Sequence, residues 1–142
     1  MDLNKETENF FKELLEQAGI EYKDDEFEEG IENIVEWFPT IYRDRWWDHS
    51  FLYSILKKKL EIMEKYFRRY GISTQAEKDA DKMKKCVLLL DRLIKDDYID
   101  YKQERRWEPK FRLLLEKEEQ MINQDLDLLF KILRKQIRCW WD

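Results

Sequence analysis

Three short segments of the sequence combine arginine with tryptophan: YRDRWWD at 42–48, ERRW at 104–107 and RCWWD at 138–142. Arginine can hold a phosphate or carboxylate through two parallel hydrogen bonds, and tryptophan offers a flat face for a base. Both residue types are also common at the centres of protein interfaces. We therefore predict a binding site for a nucleotide-like ligand or a partner protein, formed by Arg43, Arg45, Trp46, Trp47, Arg105, Arg106, Trp107, Trp140 and Trp141.

The alternative for these segments is a structural role, in which the tryptophans close one end of a helical bundle and the arginines stack on them. Trp140 lies seven residues after Leu133, and Trp141 lies four after Ile137, so both extend the apolar face of the last helix. This spacing predicts that the C-terminal end is held against the core.

A helix that ends in two large aromatic residues must bury them against another part of the chain. We expect Trp140 and Trp141 to dock against segment 45–47, the other segment in which a tryptophan pair follows an arginine. The carboxylates of Asp142 would then pair with Arg43 or Arg45, because negative charge is unfavourable at a helix C-terminus.

Few residues could support the common catalytic or metal-binding arrangements. His49 is the single histidine, which argues against a Ser-His-Asp or Cys-His enzyme and against a dinuclear carboxylate site. Cys86 and Cys139 have no partner at zinc-ligand spacing, so we expect no structural metal and no cofactor.

Acidic residues at helical spacing leave one enzymatic alternative open. The runs EFEEGIENIVE at 26–36 and KDDYID at 95–100 could bind magnesium, as carboxylates do in all-α nucleotide pyrophosphatases. The acids of the first run lie mostly opposite its apolar face, which is typical of a solvated surface.

The overall charge argues against general binding to nucleic acid or to anionic membranes. The chain has 27 Lys and Arg against 32 Asp and Glu, a net charge of −5. The basic run at 57–69 also fits the polar side of an amphipathic helix. The longest apolar run is the five residues 86–90, and no signal-peptide pattern is present, so we expect a cytoplasmic protein with reduced thiols.

The composition predicts an all-α fold, a compact bundle of five to six helices in a single domain, 1–142. With 42% charged residues but three Gly and two Pro, the chain favours a few long helices. Residues 40–142 would form the core of the domain and 1–39 a helical pair. The apolar spacing predicts burial of seven residues: Leu56, Leu60, Met63, Val87, Leu90, Leu133 and Ile137.

Helix ends can be assigned from the residues that favour them. Gly19 should end the first helix, and Pro39 should stop the second at Phe38 and leave 40–47 as a connector. Asp48 should cap the third helix, which runs to Gly71.

The fourth helix should open with a capping box of Thr74 and Glu77. After a charged connector at 101–107, Pro109 suits the start of another helix. Residues 123–125 either interrupt the final helix or are carried through it.

The motifs WWDHSFL at 46–52 and LLFKILRKQIRCWWD at 128–142 are similar to those of a family of small uncharacterised helical proteins frequent in tailed-bacteriophage genomes. The resemblance covers about residues 40–142. It implies a viral origin and expression in a bacterial cytoplasm, and it transfers no catalytic residue.

Two functions follow as hypotheses. The first is a non-enzymatic phage accessory protein that binds a host protein or sequesters a small host ligand such as a nucleotide signal. The second is a metal-dependent nucleotide hydrolase that uses helix-borne carboxylates.

Overall fold

The computed structural model describes residues 3–100 and 109–141, and within them the fold is all-α, as predicted. The helices are α1 (Lys5–Gln17), α2 (Asp24–Tyr42), α3 (Ser50–Tyr70), α4 (Ala76–Lys95) and α5 (Pro109–Gln136), followed by a short 3-10 helix, Ile137–Cys139. In the described part of the chain, no helix combines the length and apolar character needed to cross a membrane.

The chain divides into two compact units, Met1–Asp44 and Arg45–Asp142, and its single-domain assignment stays a prediction. The units have opposite charge. Residues 1–44 contain 14 acidic and four basic residues, a net charge of −10, whereas residues 45–142 contain 18 acidic and 23 basic residues, a net charge of +5. The acidic character of the whole chain therefore comes from its first unit.

The first unit is a pair of helices, α1 and α2, with a small core. Asn4 caps α1, because its Oδ1 accepts a 2.8 Å hydrogen bond from the Thr7 N–H. Gly19, with φ of +68°, follows the end of α1 in the left-handed conformation, as predicted. Leu15, Phe27 and Ile31 form the buried cluster that joins the two helices.

The predicted end of α2 is wrong, since the helix continues through Pro39 to Tyr42 and leaves a connector of seven residues, 43–49. A proline removes the hydrogen bond that its own nitrogen would donate to the carbonyl four residues earlier. The nitrogens of residues 40–42 lie after it and can still reach carbonyls of the preceding turn. The proline therefore weakens α2 without ending it.

The second unit is a bundle in which α4 packs against both α3 and α5. Charged pairs show that α3 and α4 run antiparallel. Lys57 Nζ, early in α3, lies 2.8 Å from Asp91 Oδ1, late in α4. Arg68, near the end of α3, contacts Glu77 and Asp81 near the start of α4 at 2.7 and 2.9 Å.

The core of the second unit lies around α4. Of the seven predicted core residues, Leu60, Val87, Leu90 and Leu133 are buried, and Leu56 and Met63 are partly buried against the same cluster. Ile137 is exposed, so its predicted burial is wrong. The α-helix ends at Gln136, and the tighter 3-10 geometry that follows turns Ile137 off the face that Leu133 occupies.

The N-cap residue of α3 is His49, one position after the predicted Asp48, but the predicted capping by the Asp48 side chain is confirmed. The capping box predicted for α4 is wrong. Asp48 Oδ1 accepts a 2.9 Å hydrogen bond from the Ser50 N–H at the start of α3. At α4, which starts at Ala76 rather than just after Thr74, no side-chain cap forms at the N-cap residue, Gln75. Glu77 instead pairs with Arg68, so a contact between helices replaces the local capping box.

The helix α5 is continuous over its 28 residues, so residues 123–125 are part of the helix and do not form a new cap. Its first residue is Pro109, as predicted. The predicted connector at 101–107 lies outside the described residues.

Candidate interaction surface

The segment Arg45–Asp48, which we call the tryptophan turn, is closed by a hydrogen bond within its own backbone. The Asp48 N–H donates to the Arg45 carbonyl at 2.7 Å, and the Asp48 carboxylate in turn caps α3. The hydrogen bond from the Ser50 N–H, assisted by the charges of His49 and Arg45, holds the pKa of the Asp48 carboxyl below its usual range. A core helix and an ionised cap therefore fix the turn.

The two indoles of the tryptophan turn point into solvent. Trp46 is 96% exposed and Trp47 is 84% exposed. No side chain of the described residues covers either ring, so the prediction that Trp140 and Trp141 dock against this segment is wrong. The structure instead shows two adjacent large aromatic residues presented on the surface.

The C-terminal tryptophans have opposite environments. Trp140 is only 6% exposed and belongs to the core cluster of α3, α4 and α5, which confirms that the end of the chain is held against the core. Trp141 is 77% exposed, so its predicted burial is wrong. The Nε1–H of Trp140 is buried and has no hydrogen-bond partner in the described part of the chain.

Trp141 lines an open groove of about 600 Å³ between the start of α4 and the end of α5. Inside this groove Lys82 Nζ lies 3.2 Å from Oδ1 of the buried Asp79 and donates to Gln136 Oε1 at 2.9 Å. These contacts neutralise the Asp79 carboxylate, which would be costly to bury alone. The Lys82 side chain therefore links the start of α4 to the end of α5.

The described residues of the predicted arginine and tryptophan site thus lie in different parts of the chain's structure. Arg43 follows α2 in the first unit, whereas Arg45, Trp46 and Trp47 form the tryptophan turn of the second. Three further candidates, Arg105, Arg106 and Trp107, lie outside the described residues, as does Asp142 with its expected pairing. The assignment of all nine candidates to ligand binding stays a prediction.

Sequence reasoning missed the polar residues that line the groove. Asp79, Lys82 and Gln136 are common residue types on long charged helices, and 54 residues separate Lys82 from Gln136. The one local signal was the pair Asp79 and Lys82, because residues three apart are neighbours on a helix. Nothing in the spacing indicated that this pair meets the end of α5.

The acidic runs considered for magnesium do not form a shared site in the described part of the chain. No group of three or more His, Cys, Asp or Glu side chains there is placed to hold one metal ion. Of the acids in 95–100, Asp96 is the residue that follows α4, in a left-handed conformation with φ of 50°.

The fold and the surface define this chain as an all-α protein of two helical units with a solvent-exposed tryptophan pair. Comparisons with protein-family models, with curated proteins and with solved structures each found no match. The resemblance to a bacteriophage family stays a prediction.

Proposed function

We propose that this protein is a non-enzymatic bacteriophage accessory protein that binds a protein of the bacterial host through the tryptophan turn. The observation that carries the proposal is the exposure of Trp46 and Trp47 next to Arg45. The phage origin rests on the sequence resemblance, and the host cytoplasm is the compartment it implies.

The first argument is energetic. Each tryptophan can bury roughly 150–250 Å², and at about 25 cal/mol per Å² this is several kcal/mol per ring. Tryptophan and arginine are also over-represented among the residues that dominate binding energy at interfaces. A partner that covers both indoles would therefore gain a large part of its affinity from this turn.

The second argument is preorganisation. The turn is closed by the hydrogen bond between Asp48 and Arg45, and the helix that follows it begins at Ser50. Binding to an ordered turn loses less conformational entropy than binding to a free segment. The backbone that carries the two rings is thus ordered before the partner binds.

The same observation favours a protein over a small ligand. Small molecules bind in concave pockets that cover most of their surface. A side chain that is 96% exposed, like Trp46, offers no such enclosure, whereas a protein can supply the missing walls.

The test is affinity capture from a bacterial lysate with three forms of the full chain. These are the wild type, the double variant Trp46→Ser/Trp47→Ser, and the control Leu88→Ser/Leu113→Ser, which removes two other exposed apolar residues. A specific partner should be retained by the wild type and the control. Titration of that purified partner should show binding at least ~30-fold weaker for the tryptophan variant, equivalent to about 2 kcal/mol.

Equal affinity of all three forms for the captured protein would contradict the proposal. Two further measurements separate the alternatives. Quenching of tryptophan fluorescence by micromolar nucleotide, lost in the tryptophan variant, would favour ligand sequestration. A rise in melting temperature with magnesium or manganese would favour the hydrolase, because an ion that prefers the folded state stabilises it.

A further inference from the structure

The second half of α2 carries an apolar surface with almost no charge. Segment 33–42 contains one charged residue, Glu36, in a chain of which 42% is charged. Four of its side chains, Val35, Phe38, Ile41 and Tyr42, each leave more than half of their surface exposed. We call these four residues the overhang face.

The overhang face is uncovered because α1 is shorter than α2. At 1.5 Å per residue, the 13 residues of α1 span about 20 Å and the 19 residues of α2 about 28 Å. The buried cluster of the unit uses Phe27 and Ile31, from the first half of α2. Helical spacing places the overhang face on the same side, where α1 no longer reaches.

We propose that the overhang face packs against the overhang face of a second copy of this chain, with the two α2 helices antiparallel and crossing near Phe38. The rings of Phe38 and Tyr42 are already in contact, with centroids 5.5 Å apart, so each copy presents an ordered aromatic pair. A surface that meets its own symmetry mate forms a closed two-fold dimer.

Charge favours the antiparallel arrangement of the two α2 helices over a parallel one. Six acidic residues precede the face on α2, namely Asp24, Asp25, Glu26, Glu28, Glu29 and Glu32. Parallel helices would place the two acidic halves side by side, whereas an antiparallel crossing near Phe38 directs them away from each other. It also brings Arg43 of each copy level with Glu32 of the other, which adds attraction between opposite charges.

The area of the overhang face sets the expected affinity of the dimer. The four side chains expose on the order of 400 Å² per copy, given the area that aromatic and aliphatic residues bury. Two copies with flanking residues approach the ~1,000 Å² that a specific interface needs. The dimer should therefore be reversible, with a dissociation constant in the micromolar range.

Sedimentation velocity on the full chain, from about 1 µM to about 100 µM, tests the proposal. The wild type should shift from monomer to dimer. Phe38→Asp should raise the dissociation constant at least ~10-fold, because it buries a carboxylate at the crossing point. The matched control is Phe10→Asp: Phe10 is 59% exposed and Phe38 58%, and each ring contacts one other ring, but Phe10 lies on α1. The control should dimerise as the wild type does.

A cross-link gives a readout that does not depend on a charged substitution. In a Cys139→Ser background, Phe38→Cys should form a disulfide-linked dimer under mild oxidation, whereas Phe10→Cys should not. The remaining Cys86 is buried, and burial raises the pKa of its thiol to about 11, so it stays unreactive. A monomer at every concentration, a dimer lost in the Phe10 variant but kept in the Phe38 variant, or equal cross-linking at both positions would each overturn the proposal.

Discussion

The hydroxyl of Tyr98 donates a 2.7 Å hydrogen bond to Oδ2 of Asp125, which links the segment after α4 to the middle of α5. Arg92 Nε lies 3.2 Å from the same oxygen, and its guanidinium carbon lies 5.5 Å from the centroid of the Tyr98 ring. Asp125 is buried, and these two partners compensate its charge. Burial and the hydrogen bond to Asp125 raise the pKa of the Tyr98 hydroxyl above its ordinary value.

Removing the Tyr98 hydroxyl should destabilise the fold. Tyr98→Phe takes one donor from a buried carboxylate, which costs about 1–3 kcal/mol when the group is left partly unsatisfied. The control Tyr66→Phe removes a hydroxyl from an exposed residue and should change little. Urea unfolding measures both free energies, and equal values for the two variants would contradict the role given to Tyr98.

Acid should weaken the contact between α3 and α4 through Asp91. Hydrogen bonds from Lys57 and Lys95 lower the pKa of Asp91 from its ordinary value near 4 to about 2. The folded state therefore favours the charged carboxylate, and this contribution to stability is present above about pH 4 and is lost as the pH falls towards about 2. Asp91→Asn removes the titrating group.

The measurement is the urea midpoint at about pH 5 and about pH 2.5. Between these two pH values, the urea midpoint should fall less for Asp91→Asn than for the wild type. Lys57→Met removes the partner on α3 and should also reduce the decrease. If Asp91→Asn loses as much stability as the wild type between the two pH values, the ion pair does not contribute to acid sensitivity.

Trp140 and Trp141 should differ sharply in their effect on stability. Trp140→Ala creates a cavity in the core and should lower the free energy of unfolding by about 3–5 kcal/mol. For Trp141→Ala, the free energy of unfolding should stay within about 0.5 kcal/mol of the wild-type value. Trp140→Phe should cost less than Trp140→Ala, because it keeps most of the volume and removes a buried N–H without a partner in the described residues.

Deletion of residues 140–142 should lower the melting temperature about as much as Trp140→Ala does. A deletion that leaves the melting temperature unchanged but abolishes binding to a captured partner would show instead that the terminus is an interaction tail.

Replacing Pro39 should strengthen α2. Pro39→Ala restores a backbone hydrogen bond inside the helix and should stabilise the first unit by about 1–3 kcal/mol. Pro109→Ala is the matched control, because Pro109 is the first residue of α5, where proline sacrifices no helical hydrogen bond. Far-ultraviolet circular dichroism during heating should show a higher unfolding temperature for the first variant only.

Binding to duplex DNA should be weak. In the described part of the second unit, six basic residues pair with carboxylates of the same unit, namely Lys57, Arg68, Lys82, Arg92, Lys95 and Arg112. Their charges are therefore partly neutralised before any phosphate approaches. We expect a dissociation constant no better than ~10⁻⁴ M at physiological salt, measured by gel shift. A micromolar, salt-sensitive shift would contradict this.

The sequence by itself determined the helical class, the end of α1, the capping of α3 by Asp48 and most of the core around α4. These features depend on interactions within a few residues. Asn4 and Asp48 meet backbone N–H groups two or three residues away, and apolar residues spaced by three or four must share one side of a helix. Composition and periodicity are sufficient for that level of structure.

Only the tertiary structure decided which residues on a common helical face become buried. Phe38 shares a face with Ile31, yet one is exposed and the other buried, because α1 covers only the first half of α2. Trp140 and Trp141 are neighbours in sequence but separate into core and surface where α5 gives way to a 3-10 turn. Helical periodicity gives the direction of a side chain, whereas burial depends on the length and position of the helix packed against it.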